Sequence, residues 1–343
     1  MKIAIDAMGG DDAPHPIIEG VVQAASLVRE ETEILLVGQE ELIRKDLKSR
    51  FIPRELPISV VHAPEVVSMD ESPAIALRKK RDSSIMVAIE LVKRGLADAI
   101  VSAGNTGAVM AGTLLEVGRL EGINRPAIAS FFPTEKETTV VLDVGANADC
   151  KPINLYQFGV MGSIYASRIL GRRRPKIGLL SIGEESSKGN ENTILAHGML
   201  SGSSLNFIGN VEGRDILRGN VDVVVCEGFV GNVILKLTES IDGLLTSQLK
   251  RYVMSNLRYR LGAHLLMPAL MAFRRDLDYA EYGGAPLLGI NSVCIICHGG
   301  SSAKAIRKAI DVAQRMVKAN VNSGIIEQLQ QNGTIPDEEM PSG

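Results

Sequence analysis

Six times in this chain a short, β-branched apolar run ends in a glycine-rich polar loop that opens into a segment with helical spacing. The loops are residues 6–11 (DAMGGD), 102–107 (SAGNTG), 143–147 (DVGAN), 183–188 (GEESSK), 226–232 (CEGFVGN) and 298–302 (HGGSS). Repeated strand, loop and helix units call for a mainly parallel sheet covered by helices. In such a fold the loops are expected to gather at the carboxyl ends of the strands, where ligands bind. Helix N-termini there present unpaired N–H groups and a positive dipole end, so an anion is the default guest. Six loops exceed what one phosphate needs, and the expected site takes a phosphate plus a second, larger substrate.

With 343 residues, 45% of them hydrophobic, and a mean hydropathy of +0.12, the chain can bury a large core in one large or two medium domains. A net charge of −3 argues against general nucleic-acid binding, which needs a basic face. Residues 2–5 enter a strand-like run at once, without a charged and apolar leader, so a cytoplasmic protein is expected. Cys150, Cys226, Cys294 and Cys297 make no disulfide framework in a chain of this kind. The C-x-x-C of Cys294 and Cys297 lies in SVCIIC, which reads as a buried strand with the two thiols on opposite faces rather than as a zinc or redox motif.

Along the chain, the periodicity predicts βαβαβ order through residue 63, one or two helices over 72–80 running into 83–93, and a sharp strand, loop and helix unit over 98–118. AIASFFP and TTVVLDVG flank a charged turn at 134–137 and are expected to form an antiparallel hairpin in a mixed sheet. A helix over 153–170 is followed by renewed α/β order, a last helix over 301–322 and a polar tail over 323–343, expected to be disordered. Residues 1–322 are thus expected to be one large α/β domain.

One stretch breaks the pattern. Residues 243–275 contain no acidic side chain but six cations, Lys250, Arg251, Arg258, Arg260, Arg274 and Arg275. Leu257, Leu261 and Leu265 recur at four-residue spacing, with Leu266 beside them. The uncharged run is shorter than the roughly 20 residues that cross a bilayer. Such a basic amphipathic segment can lie on an anionic membrane surface or pack as a helical pair in a dimer, and periodicity does not separate the two.

Common phosphate and hydrolase motifs are absent: no G-x-x-x-x-G-K-[ST], no G-x-G, no G-x-S-x-G and no H-E-x-x-H. What the loops offer are small side chains and amides, Asn105, Thr106, Asn147, Asn232, Ser301 and Ser302, which can cradle phosphate and stabilise an oxyanion without acting as nucleophiles. Thr106 reads as the helix cap and anion contact, with Gly104 and Gly107 turning the loop. Lys188 sits in a glycine-flanked loop and can add positive charge. His298 reads either as a hydrogen-bonding group or as a core histidine, and Cys226 as a small core residue or an acyl-accepting thiol.

As a set, IDAMGGDDAP, SAGNTGA, DVGAN with DCKP, GEE with SSKGN, CEGFVGN, YGGAPLLG and HGGSSAKAI closely resemble the PlsX family of acyl-acyl-carrier-protein:phosphate acyltransferases, from Lys2 to about residue 320. Glu227 stands where the family pattern often has aspartate. The resemblance implies a three-layer α/β/α sandwich with a mainly parallel mixed sheet, similar to phosphotransacetylases and the isocitrate dehydrogenase-like group. It implies that inorganic phosphate attacks a long-chain acyl thioester on acyl carrier protein, giving an acyl phosphate for phospholipid synthesis, with no cofactor or metal. It also implies a homodimer at the inner face of the cell membrane, coupled to a membrane glycerol-3-phosphate acyltransferase.

The loop positions then assign phosphate to Gly104, Asn105, Thr106, Gly107 and Lys188, the thioester carbonyl or phosphate to Asn147 and Asn232, and a proton relay to His298 or Ser301. The acidic carrier protein is expected on Arg172, Arg173 and Arg174 or on Lys250 and Arg251. A membrane surface is expected on Leu257, Leu261, Leu265 and Leu266. Alternative readings are a phosphotransacetylase acting on short acyl-CoA and a non-catalytic, membrane-associated scaffold for carrier protein.

Overall fold

The computed structural model describes residues 1–27, 32–50, 56–277 and 281–331. The first half alternates strands and helices: β1 (Lys2–Asp6), α1 (His15–Leu27), β2 (Glu33–Gly38), α2 (Glu40–Ser49), β3 (Ile58–His62), α3 (Pro73–Lys79), α4 (Ser84–Lys93), β4 (Ala99–Ser102) and α5 (Thr106–Glu116). The hairpin of β5 (Ala127–Pro133) and β6 (Thr138–Leu142) leads to α6 (Pro152–Arg168), β7 (Ile177–Leu180), α7 (Glu191–Ser201), β8 (Phe207–Val211), α8 (Asp215–Arg218) and β9 (Val223–Val225). Two long helices, α9 (Gly228–Met254) and α10 (Leu257–Leu277), precede β10 (Ala285–Leu288), β11 (Val293–Ile296), α11 (Ala303–Lys318) and α12 (Val321–Gln331).

Eleven strands make one sheet in the order β3-β2-β1-β4-β11-β10-β5-β6-β9-β7-β8. Alternate residues of each strand feed the two sides, as the two-residue period requires. Ile3, Ile5, Val101, Val225 and Ile295 face one helix layer with α1, α6 and α11. Ala4, Ile100, Val224, Cys294 and Ile296 face the other, with α4 and α5. The result is a three-layer α/β/α sandwich. Cys294 and Cys297 fall on opposite faces, both buried, and burial pushes each thiol up to about 12.

Strand direction corrects the expectation of a single loop cluster. β1, β2, β3, β4 and β11 run parallel to one another, while β10 is antiparallel to both β11 and β5. β5 is antiparallel to β6, which begins a second parallel group with β9, β7 and β8. The two parallel groups therefore run in opposite directions. Loops after β1, β4 and β11 lie at one end of the sheet, and loops after β6, β7 and β9 at the other.

Three further differences have physical causes. β10 joins the sheet between β11 and β5 through a run, YGGAPLLG, whose glycines and proline hide a strand. The last helix is broken at Asn320, which takes a left-handed φ of 49°, and Arg168 donates to the carbonyls of Ala319 and Asn320 at the break. The boundary expected at 322 thus falls inside structure: α12 continues to Gln331, buries Ile325 and packs on α6. The tail over 332–343 lies outside the described residues. The basic segment forms the end of α9 and nearly all of α10, which pack on each other, and the side chains of residues 274–277 lie outside those described. At its return, Glu281 accepts from Lys304 (2.7 Å) and Lys308 (3.0 Å) on α11. These two partners hold its carboxyl down at about 2.

Candidate active site

At the carboxyl end of the first group, the loops wind around a fully buried carboxylate, Asp6. Its oxygens accept from Ser102 Oγ (2.6 Å) and Met8 N–H (3.2 Å), and the N–H of Gly104 donates in turn to Ser102 Oγ (3.0 Å). Burial raises the Asp6 pKa against these hydrogen bonds. The loops touch so closely that a Cβ on Gly9 would sit 2.6 Å from the Gly104 nitrogen.

Asn105, not Thr106, caps α5: its Oδ1 accepts from Ala108 N–H (3.0 Å). Its Nδ2 is directed at the carbonyls of Ser68, Met69 and Glu71 at 2.9–3.3 Å. Asn105 is 6% exposed and its amide is spent on joining α5 to the chain before α3. Thr106 follows as the first helical residue, and Gly107 packs under Pro73. His298 is exposed, so the core-histidine reading falls. Its Nδ1 accepts from Gly300 N–H (3.1 Å), which leaves the proton on Nε2. Ser301 is buried beside it, and Ser302 caps α11.

At the opposite end a second buried carboxylate, Asp143, organises the loop after β6. One oxygen accepts from the N–H groups of Ile128, Gly145 and Ala146 at 3.0–3.1 Å, the other from the backbone (2.7 Å) and Nδ2 (2.9 Å) of Asn147. Burial outweighs these donors and raises its pKa. Asn147 Nδ2 also donates to the Pro126 carbonyl (2.7 Å), so the side chain has only Oδ1 left and can accept but not donate. The expectation that Asn147 supplies an oxyanion donor from its side chain is corrected on that ground.

Cys226 is also buried, with Sγ directed at the Asp143 carbonyl (3.4 Å), and burial pushes its thiol up, as it does for Cys150, to about 12 in the latter. An inaccessible thiol held protonated is a core residue, not a nucleophile.

The N-terminus of α9 lies against this loop: a Cβ on Gly228 would stand 2.6 Å from Asp143 Oδ2. Glu227 occupies the cap position without a side-chain cap, and the first N–H groups of the helix have no intrahelical partner. Asn232 is exposed at the start of the second turn, its Oδ1 3.5 Å from the position of a Cβ on Gly145. The loop after β7 is pinned by Ser181 Oγ and Asn210 Nδ2 donating to the Lys188 and Glu185 carbonyls (3.0 and 2.8 Å). Asn190 joins it to the α9 cap, its Nδ2 3.4 Å from a Glu227 carboxylate oxygen. Lys188 is exposed and makes no ion pair among the described residues.

The structure therefore separates residues that sequence position had grouped. Gly104, Asn105, Thr106, Gly107, His298 and Ser301 belong to one end, and Asn147, Lys188 and Asn232 to the other. Asp6 and Asp143 escaped the sequence reading, although an aspartate closing an apolar strand just before a glycine turn is the legible signal. Arg172 pairs with Glu137 and Asp222, whereas Arg173 and Arg174 are exposed. Lys250, Arg251, Leu257, Leu261, Leu265 and Leu266 are all exposed on α9 and α10. Among the described residues no group of His, Cys, Asp or Glu could hold a metal ion, and no helix is long and apolar enough to cross a membrane.

A sheet of this order, with amide-rich loops at its strand ends, places the molecule in the class of phosphotransacetylase-like α/β folds. A phosphotransacetylase from Streptococcus pyogenes superposes with a TM-score of 0.59 at 21% identity, over 93% of this chain and 94% of that one. The EutD phosphotransacetylase from Staphylococcus aureus gives 0.60 at 15% identity, over 92% and 94%. The chain belongs to the fatty acid synthesis protein family, whose model matches residues 1–324. Relatives named phosphate acyltransferase include one from Pelotomaculum thermopropionicum, 53% identical over 93% of this chain and 92% of that protein. Another, from Moorella thermoacetica, is 49% identical over 100% and 99%.

Proposed function

We propose that the chain transfers the acyl group of a long-chain acyl-acyl carrier protein to inorganic phosphate, releasing acyl phosphate and carrier thiol for phospholipid synthesis. The observation that carries this reading is the N-terminus of α9, which has no side-chain cap and is joined through Asn190 to the loop that holds Lys188, in a chain 53% identical to a named phosphate acyltransferase. N–H groups without intrahelical partners and a lysine suit a phosphate dianion, and the same donors suit the oxyanion that forms when phosphate attacks the thioester carbonyl.

A phosphate oxygen forms the new bond to carbon, the carbonyl electrons move onto oxygen, and their return expels the thiolate. A thiol of pKa about 8.5 leaves without strong acid catalysis, so positioning and charge stabilisation can supply much of the rate. Asn147 Oδ1, an acceptor, would orient a protonated phosphate oxygen or a substrate amide. His298 and Ser301, at the other sheet end, are assigned no part in this step.

The protein is further proposed to act as a cytoplasmic homodimer held peripherally on the membrane by α9 and α10, handing acyl phosphate to a membrane glycerol-3-phosphate acyltransferase. Carrier protein, being acidic, would dock on exposed cations such as Arg173 and Arg174 or Lys250 and Arg251, and salt would weaken that docking.

The decisive experiment is thiol release from palmitoyl-acyl carrier protein with and without phosphate, with palmitoyl-CoA and acetyl-CoA alongside. Phosphate-dependent release with carrier protein preferred supports the reading. Preference for acetyl-CoA would make the chain a short-chain phosphotransacetylase, and binding of carrier protein without release would make it a scaffold.

A further inference from the structure

The backbone of Lys188 is held by a buried amide on the edge strand. β8 pairs in parallel with β7, but its register slips: Phe207 pairs with Ile177 and Gly209 with Gly178, so β8 carries one extra residue, Ile208. Gly209 takes a φ of 101° there, a conformation open to glycine. An extra residue of this kind re-aims the side chains that follow it. The next one is Asn210, near the end of the strand and only 6% exposed.

From that position Asn210 Nδ2 donates to the Glu185 carbonyl (2.8 Å) and reaches the Lys188 carbonyl at 3.5 Å. The two carbonyls bracket a turn in which Lys188 N–H donates to the Glu185 oxygen (3.0 Å). Ser181 Oγ donates to the same Lys188 carbonyl (3.0 Å). The stem of Lys188 lies back over Gly183, where a Cβ would stand 3.1 Å from Lys188 Cγ. Two residues on, Asn190 caps α7 and reaches Glu227 at the start of α9. The other end of the Asn210 amide is idle: Oδ1 is buried without a hydrogen-bond partner among the described residues. A buried acceptor left unpaired costs stability, so packing by itself favours an apolar side chain here. What an apolar side chain would lose is the pair of Nδ2 contacts to the Lys188 turn.

We propose that Asn210 is a positioning residue for phosphate: it fixes the 185–188 turn and so sets where the Lys188 ammonium stands relative to the N-terminus of α9. The inference rests on the acyl-transfer reading, in which Lys188 meets phosphate. Asn210 touches no substrate, and its effect passes through Lys188. Its removal therefore weakens the handling of phosphate rather than of the acyl thioester, and matters only while Lys188 is present.

The test is a double-mutant cycle on the full chain with palmitoyl-acyl carrier protein and inorganic phosphate. Asn210→Leu is expected to raise the KM for phosphate about 10-fold and to leave the KM for palmitoyl-acyl carrier protein within about twofold. In a Lys188→Ala background the same substitution is expected to change neither. Ser181→Ala removes the other side-chain donor to the Lys188 carbonyl and is expected to repeat this pattern more weakly. It takes the place of Asn210→Leu in the cycle if that variant does not fold, and thermal melts set the assay temperature below every transition. Losses that multiply across the two backgrounds, or that fall equally on both substrates, would overturn the proposal and leave Asn210 a residue of the fold. A Lys188→Ala protein with an unchanged KM for phosphate would remove the lysine from the site and the inference with it, while thiol release by the unsubstituted protein would still uphold acyl transfer. An unsubstituted protein inactive on every thioester would defeat the acyl-transfer reading itself.

Discussion

Asn105 and Lys188 looked alike as phosphate contacts in the sequence, and their surroundings separate them. Every hydrogen-bonding atom of the Asn105 amide already serves the fold, so Asn105→Ala is expected to cost about 1–3 kcal/mol of stability through the lost cap and unpaired carbonyls, with little change in the KM for phosphate. Urea unfolding and a phosphate titration of the same variant check both halves. Lys188 has no ion pair to lose among the described residues, so Lys188→Ala is expected to leave the unfolding midpoint in place while lowering kcat/KM for phosphate about 100-fold. Glu281 gives a prediction in pH. Lys304 and Lys308 lower its carboxyl to about 2, so its contribution is complete above the ordinary glutamate range and disappears as pH falls through that range toward 2. Glu281→Gln is therefore expected to cost about 1 kcal/mol at pH 7, with the gap between the two proteins narrowing below about pH 4.5 in chemical denaturation.

Among the elements, α1 and α11 pack tightly on each other, and the reason is a missing side chain. A Cβ on Gly20 would fall 2.6 Å from the Ala303 carbonyl oxygen and 2.7 Å from Ile306 Cβ. Gly20→Ala must push two helices apart and is expected to destabilise by about 1–3 kcal/mol despite the better helix propensity of alanine, which a thermal melt would show. Elements like these were legible wherever periodicity and punctuation agreed: the unit of β4 and α5, the hairpin of β5 and β6, and the buried strand that holds Cys294 and ends just before Cys297. β10 was not, because Gly283, Gly284 and Pro286 read as a loop while its pairing comes from distant strands. Sheet direction was half visible. The hairpin announces one reversal, but only the insertion of β10 between β11 and β5 sends the second group of loops to the opposite end. That single non-local pairing decides which candidate residues share a site, and no local pattern carries it.

For the whole molecule, the open question is what meets the exposed apolar faces of α9 and α10. Leu257 is 77% exposed, Leu261 65% and Leu265 75%, all on a stretch free of acidic side chains and flanked by Lys250, Arg251, Arg258 and Arg260. Apolar burial alone would suit either a second copy or a bilayer surface, but a stretch flanked by these four cations repels its own copy and attracts anionic lipid. Leu261→Glu with Leu265→Glu is therefore expected to abolish sedimentation with phosphatidylglycerol vesicles while a dimer persists in light scattering and soluble turnover continues. Added salt should weaken binding of the unsubstituted protein in the same assay, since the attraction between exposed charges is screened over about 10 Å at 0.1 M. A variant that keeps its vesicle binding but becomes a monomer would instead place these leucines between protomers, and the membrane contact would have to be sought elsewhere on the hairpin.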